Sequence, residues 1–457
     1  MKLFLRICTL SLFFFACSFN GKTQTFQYDW ANVYGSSASY YYTYSYNCGS
    51  WSYPSYCTGY SYRYAQNEVK SSFYNTSGNI VLAGNYVGEF DADPGSGSVL
   101  IPGDYSLVSR NAYFGNYDAA GNLLWAKNIT GTYMDLIKIG RDATGNIYLV
   151  LNYYGTIDAD PSASVASFSS SGGSNDLFIG KYSASGNFLW GRSIGGTNTE
   201  QTQSAAIDAN GNIYLQGYYY AAFDADAGAG TTTLPAPGGG RDIFALKYSS
   251  DGNFSWGKAI TGTNYEDPAA IALNAGGEVY LGGYFYGTMD ANPGAAAVSY
   301  TSSGNNGFII KLDASGNYIW SKQLVSSNSF VQRLNVDGAG NLVTTGTFNT
   351  SVDLDPLTSA GVISTNGSWI CKYDGSGNYL WGYRLDQVDG LGDIQFDSQN
   401  KIFITWRVST STFDADPGAG SVPLAAYGAG DIVFAVYNSN GSYQTAFRIG
   451  SSDYDTP

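Results

Sequence analysis

The chain contains no histidine. That absence excludes a Ser-His-Asp or Cys-His nucleophile pair, His-ligated zinc or iron, imidazole acid–base chemistry and a histidine pH switch. Charge is scarce too: charged residues make up 13% of the 457 positions, with 22 Lys and Arg against 36 Asp and Glu. A net charge of −14 repels phosphate backbones, so no nucleic-acid partner is expected. Beyond the first residues no apolar run reaches membrane-spanning length, so no transmembrane segment is expected, and no amphipathic helical period stands out. What is plentiful is glycine, with 58 copies, and aromatics, with 40 Tyr, 24 Phe and 9 Trp. Hydrophobic residues at 44% can fill a large core and exclude a disordered polar chain.

Residues 1–23 read as a secretory signal. Lys2 and Arg6 give the charged start, Ile7 to Phe15 a short apolar run, and cleavage is expected near Thr23. The protein is therefore expected to be secreted or on a bacterial cell surface. The alternative is a lipoprotein, because Ala16-Cys17 could place a lipid on Cys17. Three cysteines remain after cleavage. Cys48 and Cys57 sit in a Tyr-rich stretch and are expected to form a disulfide in an oxidising compartment. Cys371, in the strand-like run Trp-Ile-Cys-Lys-Tyr, reads as a small core hydrophobe, since Gly180, Leu246, Ile310 and Ala435 occupy the equivalent places.

Those equivalences come from an internal repeat. An acidic motif at Asp91-Ala-Asp93-Pro94 returns at Asp158/Asp160, Asp224/Asp226, Asp290/Asn292, Asp353/Asp355 and Asp414/Asp416, in steps of 67, 66, 66, 63 and 61. Tryptophans after a Gly-Asn turn keep the same rhythm at Trp125, Trp190, Trp256, Trp320 and Trp381. Each unit of about 65 residues holds two short alternating runs folded around a glycine turn, twice over, which is the mark of two hairpins. A three-residue hairpin loop needs one residue at positive φ, and Gly supplies it, as in Gly78-Asn79, Gly145-Asn146, Gly186-Asn187 and Gly377-Asn378. The fold class that follows is all-β: a β-propeller of about six four-stranded antiparallel blades.

The organisation then reads as a signal (1–23), an N-terminal strand with a Tyr-rich insertion (24–70), and six repeats (71–450). Residues 451–457 are the start of a further repeat or the chain end. The insertion is expected to be a loop, with ten tyrosines from Tyr40 to Tyr64 plus Trp51.

The units resemble the bacterial SBBP-type β-propeller repeats. The residues that carry the resemblance are Asp242-Ile-Phe-Ala-Leu-Lys-Tyr-Ser-Ser-Asp-Gly-Asn-Phe-Ser-Trp256 and Asp208-Ala-Asn-Gly-Asn-Ile-Tyr-Leu-Gln-Gly217, with similar segments from about residue 71 to 450. The resemblance implies secreted or cell-surface proteins of Gram-negative bacteria, many with a C-terminal type IX sorting domain. It transfers no catalytic residues, and the Tyr-rich insertion departs from its pattern.

The twelve repeated acidic-motif residues are the candidate metal ligands. Paired carboxylates beside Gly-rich loops suit Ca²⁺, but a third Asp and a bidentate Glu are missing, so a turn-fixing role is the leading expectation. No other cofactor and no catalytic residue is expected. Lys181, Lys247, Lys311 and Lys372 recur before turns and read as solvated strand faces paired with acids. The leading function is a binding, adhesion or scaffold module that meets proteins or glycans through blade loops and the Tyr insertion. A carbohydrate-active enzyme using rim carboxylates and a structural spacer of a larger secreted protein are the alternatives.

Overall fold

The computed structural model describes residues 39–47, 56–64 and 66–450, apart from 104–108, 357, 359–360, 386–387, 409–411, 419 and 426–429. The expected signal (1–23), Cys17, Cys48 and residues 451–457 fall outside it, as does the Cys57 side chain, so the expected disulfide does too. All the regular structure described is β-strand. No helix long and apolar enough to cross a membrane occurs among the described residues.

The third repeat shows how the unit is built. Glu200–Ile207, Ile213–Tyr219, Asp242–Tyr248 and Phe254–Gly262 pair antiparallel in that order. Among the described residues the same four-strand meander occurs six times. Two 19-residue strands, Leu123–Arg141 and Tyr318–Val336, leave one module as its outermost strand and enter the next as its innermost. The third strand, Asp242–Tyr248, is apolar almost throughout because a neighbouring module covers each of its faces. Outer strands such as Phe188–Ile194 keep the alternation of a half-exposed sheet.

Modules stack face to face, which is the arrangement of a β-propeller. Phe114 of the first module packs with Tyr182 of the second, and the same kind of cluster fills the next four junctions. Aromatic rings meet there edge-on, as Phe114 and Trp125 do at 5.7 Å. The two end faces are buried as well: Tyr86, Phe90, Tyr113 and Tyr117 on the first module, Ile432 and Phe434 on the sixth.

Twelve hairpin turns among the described residues share one design. In Asp118-Ala-Ala-Gly121-Asn122, Gly121 has φ +84°, and the Asp118 carboxylate accepts from the Ala120 and Asn122 amides. The Asn122 side-chain amide donates to the other Asp118 oxygen, which explains the recurring Gly-Asn pair. One turn uses Asn400 at φ +60° instead of Gly, a conformation Asn tolerates.

Two boundaries differ from expectation. The first module's innermost strand begins at Gln66, inside the stretch assigned to the insertion. The insertion itself is not a plain loop: Ser39–Asn47 pairs antiparallel with Tyr56–Tyr64. Its alternating Tyr and small residues suit a pleated strand.

Candidate binding site at the third module junction

The six acidic motifs sit where the second strand crosses to the third. Asp224 Oδ1 accepts from the amides of Asp226 (3.0 Å) and Thr232 (2.8 Å), and Asp226 Oδ1 accepts from Gly228 (2.8 Å). The residue between the carboxylates points inward. Ala225 is fully buried, and the Tyr248 hydroxyl donates to its carbonyl. Asp91, Asp158, Asp290 and Asp414 accept from the same two places, and Asp353 from Asp355. Asp93, Asp160, Asn292 and Asp416 accept from the amide two residues on. Asp355 instead takes the Thr358 hydroxyl. Burial alone would raise the pKa of Asp91 and Asp414, but these backbone donors hold both below the usual carboxylate range. The motif thus fastens its turn through local backbone and hydroxyl donors. No group of three or more Asp, Glu, Cys or His side chains converges on a metal-sized site among the described residues.

The repeated lysines pair with acids as expected at Lys181, Lys311 and Lys372, but not all of them face solvent. Lys311 and Lys372 are buried, and each reaches across to a turn carbonyl of the next module, Gly375 at 2.8 Å and Ser439 at 2.9 Å. Lys181 and Lys247 do the same to Ser250 and Ala314. The repeat tryptophans follow: Trp256 Nε1 donates to Ala314 at 3.1 Å and Trp320 Nε1 to Gly375 at 3.3 Å. Cys371 is a free, fully buried thiol whose pKa burial pushes up, as a core residue requires.

One group of residues varies the repeat: the arginine–tyrosine–aspartate contact of Arg110, Tyr133 and Asp135 returns as Arg241, Tyr265 and Asp267 with more tyrosines around it. The second strand ends in Asn85-Tyr86-Val87 in the first module and Asn152-Tyr153-Tyr154 in the second. Those asparagines stitch modules together: Asn152 exchanges two 2.8 Å bonds with the Thr202 backbone. The third and fourth modules carry Tyr218-Tyr219-Tyr220 and Tyr284-Phe285-Tyr286 there. Tyr220, Tyr265 and Tyr286 are 46%, 38% and 38% exposed. Tyr265 stacks on Tyr286 at 5.9 Å, and Tyr218 meets Tyr220 edge-on at 5.7 Å. Arg241 lies among them, 4.7 Å from the Tyr218 ring and 5.9 Å from Tyr265, and is ion-paired with Asp267. The Tyr218 hydroxyl donates to Gln201. The result is a partly exposed surface of flat rings around one guanidinium, able to stack on a planar or ring-shaped ligand and to hydrogen-bond its edge.

Directly behind the patch, neighbours in sequence turn inward. Asp242 and Glu266 are fully buried, as are Asp176 and Glu200 at the preceding junction. Burial is the main reason the pKa of Asp176 rises to about 6 and that of Glu200 to about 7. Burial, contact with Asp242 and the charge of Asp267 push Glu266 up as well. Their burial keeps these acids from reaching a substrate as an acid–base pair.

A second departure lies on the innermost strands. All six carry a β-bulge at one level, with Lys70, Ile137, Gln203, Ala269 and Gln332 as extra residues in the first five and Gly392-Asp393 opposite Thr405 in the sixth. Bulges re-aim side chains. Gln203, Gln332 and Arg333 line an open cavity of about 460 Å³ together with Pro268 and Leu391. Sequence reading missed both departures. The paired Tyr-x-Tyr runs at 218–220 and 284–286 were a signal for the first. The bulges leave none, because one extra residue is invisible inside an alternating run.

No protein-family profile matches the chain. An uncharacterised WD repeat-containing protein of Acanthamoeba polyphaga mimivirus is 26% identical over 208 residues, covering 38% of this chain and 14% of that protein. Regulatory protein FlaEY of Caulobacter vibrioides is 22% identical over 172 residues, covering 36% of this chain and 17% of that protein. The chain thus spans less than a fifth of the length of either curated relative. Among solved structures, a protein of unknown function from Bacteroides caccae aligns with TM-score 0.37 at 9% identity, covering 74% of this chain and 90% of the other. A gluconolactonase from Xanthomonas campestris aligns with TM-score 0.30 at 11% identity, covering 72% and 88%.

Proposed function

We propose that this propeller is an exported binding or scaffold module, secreted or held at a bacterial surface, that meets a protein or glycan at the third–fourth junction. The observation that carries the reading is the tyrosine–arginine patch. The place of the stitching Asn152 is taken here by Tyr218 and Tyr284, and the exposed Tyr220, Tyr265 and Tyr286 lie beside them around Arg241. Exposed Tyr contributes large contact area at little entropy cost, and Arg adds directional donors. The local match to a WD repeat-containing protein supports a propeller scaffold. The signal-like residues 1–23 and the SBBP-type repeat resemblance support export.

The test is a binding screen of the purified chain against a glycan array and against immobilised outer-surface proteins, with wild type beside a Tyr265→Ala/Tyr286→Ala double variant. Both rings are exposed, so the variant is expected to fold. A ligand bound by wild type and lost in the variant supports the reading. Equal binding by both, or no binding by wild type, overturns it.

A further inference from the structure

Four module junctions can be compared position by position. The residue just before Asn111, Asp176, Asp242 and Asn306 is Arg110, Asn175, Arg241 and Asn305, so arginine and asparagine alternate. The next module's innermost strand follows the same alternation. At the first junction Tyr133 stands opposite Tyr154 in the strand register, and at the third Tyr265 stands opposite Tyr286. At the second junction Thr199 takes the place of the first tyrosine, and at the fourth the opposed pair is Asn328 and Asn349. Two residues further on, Asp135 and Asp267 give way to Gln201 and Phe330 at the second and fourth junctions. Every second junction therefore carries one arginine, two opposed tyrosines and one aspartate.

The two tyrosine junctions also share their contacts. Arg110 and Arg241 each lie 5.9 Å from the ring of the following tyrosine, Tyr133 or Tyr265. Arg110 Nη1 donates to the Tyr133 hydroxyl at 3.3 Å, and Arg241 Nη1 to the Tyr220 hydroxyl at 3.2 Å. Arg110 Nη2 stands 3.3 Å from Asp135, and Arg241 is ion-paired with Asp267. The second ring of each pair is exposed, Tyr154 by 43% and Tyr286 by 38%. Holding the modules together does not require these groups. The carbonyls of Arg110 and Arg241 accept from the amides of Met134 and Glu266, and the Asn175 carbonyl accepts from Glu200 in the same way. A flat ring beside a guanidinium and a carboxylate supplies an apolar face, donors and an acceptor together. The face and hydroxyl edge of a sugar ring call for that combination.

We propose that the first and third junctions are two subsites of one kind, each taking a sugar ring of the same neutral polysaccharide chain. This rests on the tyrosine–arginine patch being a binding surface, and it narrows the ligand to a glycan engaged at two places. A polysaccharide repeats its ring along the chain, as the protein repeats its subsite at every second junction, whereas the surface of a folded protein has no such period. A net charge of −14, and an acid already set against each guanidinium, disfavour a polyanion. Once one subsite is filled, the second contact is intramolecular, so the polymer binds more tightly than its fragments.

The experiment titrates the full chain, by calorimetry, with dextran, pullulan, glucomannan and mixed-linkage β-glucan, and with a disaccharide fragment of each. At least one polymer is expected to bind, at least about tenfold more tightly than its disaccharide. Tyr154→Ala and Tyr286→Ala each remove one exposed ring, and each should lower polymer affinity about tenfold, towards that of the disaccharide. The double variant should lose binding. Circular dichroism verifies that each variant is folded, and the wild-type comparison of polymer with disaccharide needs no variant. Binding of none of the four polymers overturns the proposal, as does equal affinity for polymer and disaccharide. Full polymer affinity in Tyr154→Ala with loss in Tyr286→Ala also overturns it, but leaves the binding patch at the third–fourth junction standing. Capture of a protein instead of a glycan through Tyr286 has the same two consequences.

Discussion

The indole of Trp190 lies against the bare Cα of Gly252, 2.8 Å from where a Cβ would stand. Trp190 belongs to the second module and Gly252 to a turn of the third. The same pairing joins Trp125 to Gly186, Trp256 to Gly316, Trp320 to Gly377 and Trp381 to Gly441. One glycine therefore serves two needs, the positive φ of its turn and the seat of the preceding module's tryptophan.

Gly252→Ala should show both needs at once. The φ of +74° strains any Cβ, and that Cβ meets the indole. Gly78, at φ +77° with nothing within 4 Å, isolates the backbone part. Gly78→Ala should cost about 1–2 kcal/mol, and Gly252→Ala about 1–3 kcal/mol more. Denaturant unfolding of the two variants measures the difference. Equal losses would remove the tryptophan seat from the argument.

The acidic turns should respond to the loss of the acceptor, not of the charge. Asp224→Asn keeps an oxygen for the Asp226 and Thr232 amides and should change stability by less than about 1 kcal/mol. Asp224→Ala leaves both donors without it and should cost about 1–3 kcal/mol. Thermal melts of the pair separate the two outcomes.

Lys372 and Asp337 form a buried ion pair, with Lys372 also bound to the Ser439 carbonyl. Lys372→Met leaves Asp337 uncompensated and should cost about 3–5 kcal/mol, near the size expected when one partner of such a pair is removed. Burial opposes the charge of Asp337, but Lys372 and Asn341 hold its pKa below normal. Its contribution is present above the ordinary Asp pKa and is lost as pH falls through the lowered value. Lys372→Met should therefore flatten the acid limb of the stability curve.

Asp176 and Glu200 act in the opposite sense. Their folded pKa values, about 6 and about 7, lie above the unfolded ones. The folded state holds protons that the unfolded state releases, so stability is greatest below about pH 4 for these groups and declines until about pH 7. Glu200→Gln should remove most of Glu200's part of that decline and gain about 2–3 kcal/mol at pH 8, read by urea unfolding across pH. An unchanged profile would show that the carboxyl titrates normally.

Much of the site was hidden in the sequence for a physical reason. Asp-Ala-Asp motifs and Gly-Asn turns were legible because their hydrogen bonds close within a few residues, as between Asp118 and Asn122. The acid pairing of the lysines was legible, but the burial of Lys372 was not, because the Ser439 carbonyl it also reaches lies 67 residues away in the next module's turn. A recurring Lys before a turn looks the same whether it faces water or a neighbouring blade.

By itself the sequence determined the repeat, the hairpins, their turn chemistry and the all-β class. These rest on backbone rules local to a few residues: alternation of side chains in a strand and positive φ at glycine. Only the tertiary structure decided which acids are buried, where the bulges fall and which tyrosines gather round Arg241. Asp242 and Glu266 lie 24 residues apart on strands of different modules. Their meeting, like that of Arg241 with Tyr265 and Tyr286, depends on the face-to-face packing of the blades. That packing is set by the summed burial of Phe, Tyr and Trp across whole junctions and by no single local motif.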